Sequence, residues 1–233
     1  MDDPSAALYY RAVLIVVALF TAFSALATAA RFEWGEKLFF CWTAFGAGYL
    51  LAAIRYALRL AALLMPRLVL SRPVLDGMLI LQNVLIALSL WMFVSAWRGT
   101  GLTAPVSRST QTASVIGGMI VALAVGGFPL MRGIAMAGAD SVLIISTLGD
   151  IVGIALIIPL IFPALALRGG LLMHTWLYLA LCEAMWLMYD LWLALRPTLG
   201  VSVTVATGVE QIIRIIAIGF AFIASAAHRR AIR

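Results

Sequence analysis

Residues 141–167 read SVLIISTLGDIVGIALIIPLIFPALAL, a run of 27 residues that contains a single ionisable side chain, Asp150. A helix needs about 20 predominantly apolar residues to cross the hydrocarbon core of a bilayer. The run is long enough for one crossing, and its only charge is isolated among apolar neighbours. It therefore predicts a transmembrane helix with one polar group inside the membrane.

The same criterion, applied outward along the chain, finds seven apolar runs separated by charged, Gly-rich or Pro-rich segments. The runs cover 8–30, 37–65, 74–96, 112–137, 141–167, 171–195 and 202–227. The boundary between the fourth and fifth runs is the weakest, because only Arg132 and Asp140 interrupt it. We therefore expect an all-α, polytopic integral membrane protein: a seven-transmembrane-helix bundle whose single membrane domain covers residues 1–233.

The composition excludes several classes of protein. The chain is 64% hydrophobic and 11% charged, with a mean hydropathy of +1.09, whereas soluble domains have about 45–50% apolar and about 25% charged residues. A chain of 233 residues cannot bury so much apolar surface in water. The net charge of +6 comes almost entirely from arginines scattered among helix ends and loops. Such arginines set topology and contact lipid phosphates, so we expect a lipid bilayer as partner and no nucleic acid.

Seven polar residues lie inside the predicted spans, where each ionisable group costs roughly 2.5–3.5 kcal/mol on insertion scales. Depth in the membrane follows from the helical rise of about 1.5 Å per residue. Each of the seven residues lies either near the midplane or displaced from it towards the same membrane face. They therefore lie towards the face that carries the 2–3, 4–5 and 6–7 loops. These candidate ligand- or proton-binding residues are Arg55, Asn83, Asp150, Glu183, Asp190, Glu210 and Arg214.

Acidic residues outnumber basic ones in this set. A site of low dielectric cannot hold two unpaired carboxylates, so at least one of them should carry a proton near neutral pH, or face a cation or water. A structural alternative remains open: Glu210 with Arg214, four residues apart on one helix face, and Asp150 with Arg55 would be buried ion pairs that fix helix register. Gly149 and Gly153 are expected to allow close packing between helices.

We expect no cofactor and no metal. The only lysine, Lys37, stands at a helix start, so the seventh span offers no Schiff-base amine. His174 and His228 are predicted near the same membrane face, where a bridged haem or metal is conceivable but a structural role is the more common one. The two cysteines fall inside apolar runs and should act as small hydrophobic residues. No catalytic sequence motif appears.

The segment Leu148-Gly149-Asp150-Ile151-Val152-Gly153, followed by Pro159-Leu160, resembles a stretch of the membrane-embedded, multi-helix sensor input domains of bacterial signalling proteins. The sixth span, with Trp186, Tyr189 and Asp190, is similar to the same domains, and the resemblance covers about a third of the chain. It implies candidate roles for Asp150 and Asp190 but no ligand. Those domains precede kinase or cyclase outputs, whereas this sequence stops at Arg233, so the resemblance implies action through another subunit.

The function expected from these features is a non-catalytic, sensor-like or accessory membrane subunit with a polar intramembrane pocket, acting through a protein partner or a larger complex. A small proton- or cation-coupled transporter or channel is the first alternative, and a purely structural subunit of a membrane complex is the second. The resemblance points to a bacterial inner membrane. The acidic start and the terminal arginines Arg229, Arg230 and Arg233 favour a cytoplasmic C-terminus.

Overall fold

The computed structural model describes residues 4–65, 71–98, 108–135, 141–166 and 170–232, and the regular structure within these ranges is helical throughout. Seven helices are long and apolar enough to cross a membrane. They are α1 Pro4–Ala29, α2 Lys37–Leu64, α3 Arg72–Arg98, α4 Arg108–Ala135, α5 Ser141–Ala166, α6 Leu171–Leu195 and α7 Val203–Ala231. A short 3₁₀ turn, Arg196–Thr198, follows α6.

The predicted all-α class and the seven predicted helices are confirmed. The bounds of α6 match the prediction, and the other helices differ from it by a few residues at their ends. The weak boundary between the fourth and fifth runs falls at 136–140, outside the described residues.

Six of the helices form a closed ring. Going around the ring, α1 contacts α2, α2 contacts α3, α3 contacts α5, α5 contacts α6, α6 contacts α7, and α7 contacts α1. The remaining helix, α4, packs outside this ring against α5 and α6. Because successive helices run in opposite directions, α1, α3, α5 and α7 begin at one end of the bundle, which we call the site end. We call the opposite end the far end.

Small residues and hydroxyl groups close the ring between α1 and α7. Ala18, Ala22 and Ala25 are fully buried on α1, so the two helix backbones approach closely. The Thr28 hydroxyl donates a hydrogen bond across the interface to the Ser225 carbonyl oxygen at 3.0 Å. Thr21 makes the equivalent bond to the carbonyl oxygen of Ile218, at 3.2 Å. Packing of small residues combined with such bonds is typical of helix association in lipid.

The far end of the bundle is filled by aromatic side chains around His228. The Trp42 indole donates a hydrogen bond from Nε1 to His228 Nδ1 at 3.2 Å, and its ring centroid lies 4.9 Å from that of Phe93. Trp176 joins the same buried group. His228 is buried and His174 is exposed, so the two histidines lie in different environments.

Apolar side chains cover the outside of the bundle as well as filling its core. Large apolar side chains point outward, including Phe20 and Phe23, each 62% exposed. Arg55, Glu183 and Arg214 are instead buried in the interior of the bundle. These three charged residues therefore lie inside the helix ring, in the half nearest the site end.

Candidate functional site

Five of the seven residues predicted from the sequence line one cavity, which we call the acidic cavity. It lies inside the ring in the site half, with Arg55 from α2, Asn83 from α3, Asp150 from α5, Glu183 from α6 and Arg214 from α7 in its wall. Its volume is about 50 Å³. A water molecule needs at least about 10–15 Å³ of such space, so the cavity accommodates water or a small ion and excludes an organic ligand of ordinary size.

Asp190 lies behind the wall of this cavity and joins Asp150 in a carboxyl pair. The two carboxyl groups lie within hydrogen-bonding range of each other. Ser146 Oγ donates to Asp190 Oδ1 at 3.0 Å. The Oδ2 atom of each aspartate is buried, and neither has a hydrogen-bond donor among the described residues. A proton on one aspartate, or a cation between them, would satisfy both oxygens at once.

Two glycines on α5 make room for the polar side chains of neighbouring helices. A Cβ atom on Gly153 would overlap the Glu183 carboxyl group, and one on Gly149 would overlap the Asn83 amide. The Asn83 amide is itself oriented by donating a hydrogen bond to the Ile145 carbonyl oxygen at 3.0 Å. Gly149 and Gly153, which the sequence suggested for helix packing, therefore let Asn83 and Glu183 approach the Asp150 turn.

The ion pairs considered in the sequence analysis are absent among the described residues. Neither Asp150 with Arg55 nor Glu210 with Arg214 lies within ion-pairing distance. Glu210 instead pairs with Arg196, which lies between the sixth and seventh predicted spans. The 3₁₀ turn after α6 brings Arg196 back over the first turns of α7, so this partner comes from another element.

Arg214 packs against two tyrosine rings. Its guanidinium carbon lies 4.7 Å from the Tyr56 ring centroid and 5.4 Å from that of Tyr189. Arg214 Nη1 also donates to Gln211 Oε1 at 3.3 Å, while its buried Nε atom has no acceptor among the described residues. Stacking of this kind holds a guanidinium in one orientation.

A second cavity, which we call the arginine cavity, adjoins the acidic cavity and has a volume of about 270 Å³. It lies between α1, α2, α6 and α7. Its polar lining residues are Arg11, Tyr56, Arg59, Tyr189, Thr207, Glu210, Gln211 and Arg214. Arg59, Tyr189 and Arg214 also line the acidic cavity, so the two cavities are adjacent. Glu210 thus belongs to the arginine cavity, apart from the other predicted acids.

Sequence reasoning did not select Arg11, Arg59 or Arg196 for the site. Each lies near a helix end, where an arginine is an ordinary topological signal. Tyr56 and Tyr189 were also missed, because a tyrosine in an apolar helix gives no signal of its own. A search for arginines three to four residues from an already selected residue would have found Arg59, which follows Arg55 on the same helix face.

The polar groups that line the acidic cavity are carboxyl, amide, guanidinium and hydroxyl groups and the Trp186 indole. Among the described residues, no group of three or more His, Cys, Asp or Glu side chains is arranged to hold a metal ion. Cys182 is buried, and its sulfur shares a hydrogen bond with the Tyr49 hydroxyl at 3.2 Å.

Comparison of the chain with protein-family models, curated proteins and solved structures finds no match in any of the three.

Proposed function

We propose that the chain is an integral membrane protein of the bacterial inner membrane with its C-terminus in the cytoplasm. Seven helices of sufficient length and hydropathy support this assignment. So does the outward direction of the large apolar side chains together with the burial of Arg55, Glu183 and Arg214, since intramembrane charges face the interior of a bundle. On this orientation the site end, and with it both cavities, faces away from the cytoplasm.

We further propose that the protein is a non-catalytic, sensor-like or accessory subunit whose acidic cavity takes up a proton or a monovalent cation. The observation that carries the proposal is the Asp150–Asp190 carboxyl pair, which has two buried oxygens without a donor among the described residues. A carboxyl pair that fixed only the fold would be matched to a base or to hydrogen-bond donors. Asp150 and Asp190 also lie in the segments that resemble bacterial sensor input domains.

In this function, α4 transmits a change in the occupancy of the acidic cavity to the partner. Gly126 of α4 packs directly against Ile151 of α5 and Leu187 of α6. Ile151 follows Asp150, and Leu187 lies one helical turn before Asp190. A change in the distance between the two carboxyl groups would therefore move the two surfaces on which α4 rests. We propose that a protein partner or a larger membrane complex responds to this movement of α4.

A proton- or cation-coupled transporter or channel is the second candidate. The two adjacent polar cavities in the site half favour it, because they form the beginning of a polar route. The aromatic packing of Trp42, Phe93 and Trp176 at the far end fits a site read by a partner better than a through pathway. A purely structural subunit would require no response of the acidic cavity at all.

The test compares Asp150→Asn and Glu183→Gln with a matched control, Asp76→Asn. Asp76 lies on α3 at the site end and accepts a hydrogen bond from Ser141 outside both cavities. For each purified protein the unfolding temperature is measured while pH, Na⁺ and K⁺ are varied separately. We expect the wild type and Asp76→Asn to respond alike, and the two cavity variants to fold but lose the response. Wild-type behaviour in both cavity variants contradicts the proposal.

A second measurement separates the sensor from the transporter. Wild-type protein is reconstituted in liposomes, and the internal pH and Na⁺ content are followed after a gradient is imposed. The sensor or subunit function predicts no flux above that of empty liposomes, together with a stoichiometric protein partner after mild-detergent extraction from native membranes. A flux that disappears in Glu183→Gln would establish the transporter instead.

A further inference from the structure

The arginine cavity carries an excess of positive charge that no side chain in it balances. Arg11, Arg59 and Arg214 come from three helices, α1, α2 and α7, and converge on the same space. Arg59 and Arg214 both lie within electrostatic range of Arg11 and of Arg55. Among the described residues, none of these four arginines has an acidic group within ion-pairing distance. Glu210, the acid in the lining, is already paired with Arg196.

The arginines that line the cavity are held in place by contacts with neighbouring side chains and backbone. Arg11 Nη1 donates to the Arg59 carbonyl oxygen at 2.8 Å, which fixes the Arg11 guanidinium across the gap between α1 and α2. Arg214 is only 8% exposed, and its Nε atom has no acceptor among the described residues. The Tyr56 and Tyr189 rings hold the plane of the guanidinium. The Tyr56 hydroxyl also lies within hydrogen-bonding range of Arg214, and Nη1 donates to Gln211.

Holding several cations close together in a partly buried space is costly unless an anion lies among them. Guanidinium groups bind carboxylate and phosphate through paired hydrogen bonds. Donors that reach one space from three helices suit a tetrahedral, multiply charged anion better than a planar, singly charged carboxylate. The volume of about 270 Å³ is several times the roughly 30 Å³ that a water molecule occupies in the liquid, so it accommodates a phosphate group.

We propose that the arginine cavity is a binding site for a phosphate group, with Arg11, Arg59 and Arg214 as its ligands. The group comes either from free phosphate or from the headgroup of an anionic phospholipid. This inference is separate from the proposed proton or cation uptake, because it rests on three arginines and not on the Asp150–Asp190 pair, although Arg59 and Arg214 line both cavities.

The test uses the full chain, purified in a non-ionic detergent and freed of lipid. Inorganic phosphate is titrated by calorimetry, with chloride at equal ionic strength as the reference. We expect saturable phosphate binding to the wild type. Loss of a charged hydrogen-bonding group should weaken it at least about tenfold in Arg59→Gln and in Arg214→Gln. Arg214→Lys, which keeps the charge but loses the paired donors, should lie between the wild type and Arg214→Gln.

Arg72→Gln is the matched control, because Arg72 is an exposed arginine at the site end that interacts with Asp76 and Ser141. It should bind phosphate within about twofold of the wild type. Asp150→Asn should also retain phosphate binding, which separates a failure of this proposal from a failure of the proposed function. If Arg214→Gln does not fold, Arg59→Gln decides, since Arg59 is only partly buried.

A second arm of the test identifies the source of the phosphate group. The same proteins are placed in phosphatidylcholine nanodiscs with or without phosphatidic acid, and bound lipid is counted by native mass spectrometry. Retention of phosphatidic acid by the wild type and by Arg72→Gln, but not by Arg59→Gln, identifies a lipid headgroup. Binding of inorganic phosphate without lipid retention identifies free phosphate. Binding of neither probe, or equal binding by Arg59→Gln, Arg214→Gln and Arg72→Gln, overturns the proposal.

Discussion

Replacing Asp150 with asparagine should make the protein more stable at high pH and without Na⁺ or K⁺, where the wild-type carboxyl pair holds neither a proton nor a cation. In the native structure the Asp150 and Asp190 carboxyl groups face each other, and the buried Oδ2 atom of each lacks a donor among the described residues. Asparagine has almost the same shape as aspartate. The asparagine amide supplies the missing donor to Asp190. The substitution also removes one of the two acidic groups.

The expected gain follows from this geometry. A hydrogen bond from an amide to a charged carboxylate contributes about 1.5–3 kcal/mol to stability. For a chain of this size, each kcal/mol raises the unfolding temperature by about 2–4 °C. Asp150→Asn should therefore unfold about 3–12 °C above the wild type. The assay is thermal unfolding in detergent micelles, followed by tryptophan fluorescence at high pH and without Na⁺ or K⁺.

Asp76→Asn is the control of the same chemical type. Asp76 Oδ2 accepts a hydrogen bond from Ser141 Oγ at 2.7 Å and lies 3.9 Å from Arg72 Nε. Because this acid has favourable partners, its replacement should lower stability, by about 0–1 kcal/mol for a partly exposed ion pair. A drop in the unfolding temperature of Asp150→Asn as large as that of Asp76→Asn would refute the reasoning, because Asp150 would then be a stabilising acceptor.

Two further substitutions test the packing on which the site rests. Trp42→Phe removes the hydrogen bond to His228 Nδ1 and leaves a buried acceptor without its donor, so it should destabilise the fold by about 1–3 kcal/mol. The control Trp34→Phe, at an 82% exposed position, should change the unfolding temperature little. Equal effects of the two substitutions would contradict the prediction. Gly46→Ala places a methyl group 3.2 Å from the backbone of α1 and should destabilise by about 1–3 kcal/mol. Gly127→Ala, where no atom lies within 4 Å, should be neutral or stabilising in the same thermal assay because alanine favours helix, and a stable Gly46→Ala variant would show that α1 and α2 are not in close contact there.

The helices were predictable from sequence because apolar run length and polar separators act locally. For α6, predicted and observed bounds agree at Leu171–Leu195. The seventh helix extends beyond its predicted end to Ala231. There, His228 is buried against Trp42 of another helix, and this contact between helices leaves no pattern within the seventh run itself.

The site was predictable in part. Depth along each span placed Glu183 and Arg214 near the midplane and Asp150 displaced from it towards the site end, and the closed ring of helices brings the three together. Periodicity on one helix also placed Glu210 beside Arg214, but it contains no information about a competing cation from elsewhere. Arg196 reaches Glu210 from the turn after α6, so the expected pair did not form.

Charge balance across helices was the least predictable feature. Arg11 and Arg59 meet only because α1 packs against α2, and the hydrogen bond between Arg11 and the Arg59 carbonyl oxygen joins residues 48 positions apart. In sequence, each is a common arginine near a helix end. Only the three-dimensional arrangement separates the acidic cavity from the arginine cavity.

The central claim, that the Asp150–Asp190 pair takes up a proton or a monovalent cation, is tested most directly by infrared difference spectroscopy. Spectra of the purified wild type, Asp150→Asn and Asp76→Asn are recorded while pH, Na⁺ and K⁺ are changed in turn. We expect a band from a protonated carboxyl group in the wild type and in Asp76→Asn that responds to one of these changes and is absent from Asp150→Asn. The claim is contradicted if no such band appears under any condition, or if it persists unchanged in Asp150→Asn.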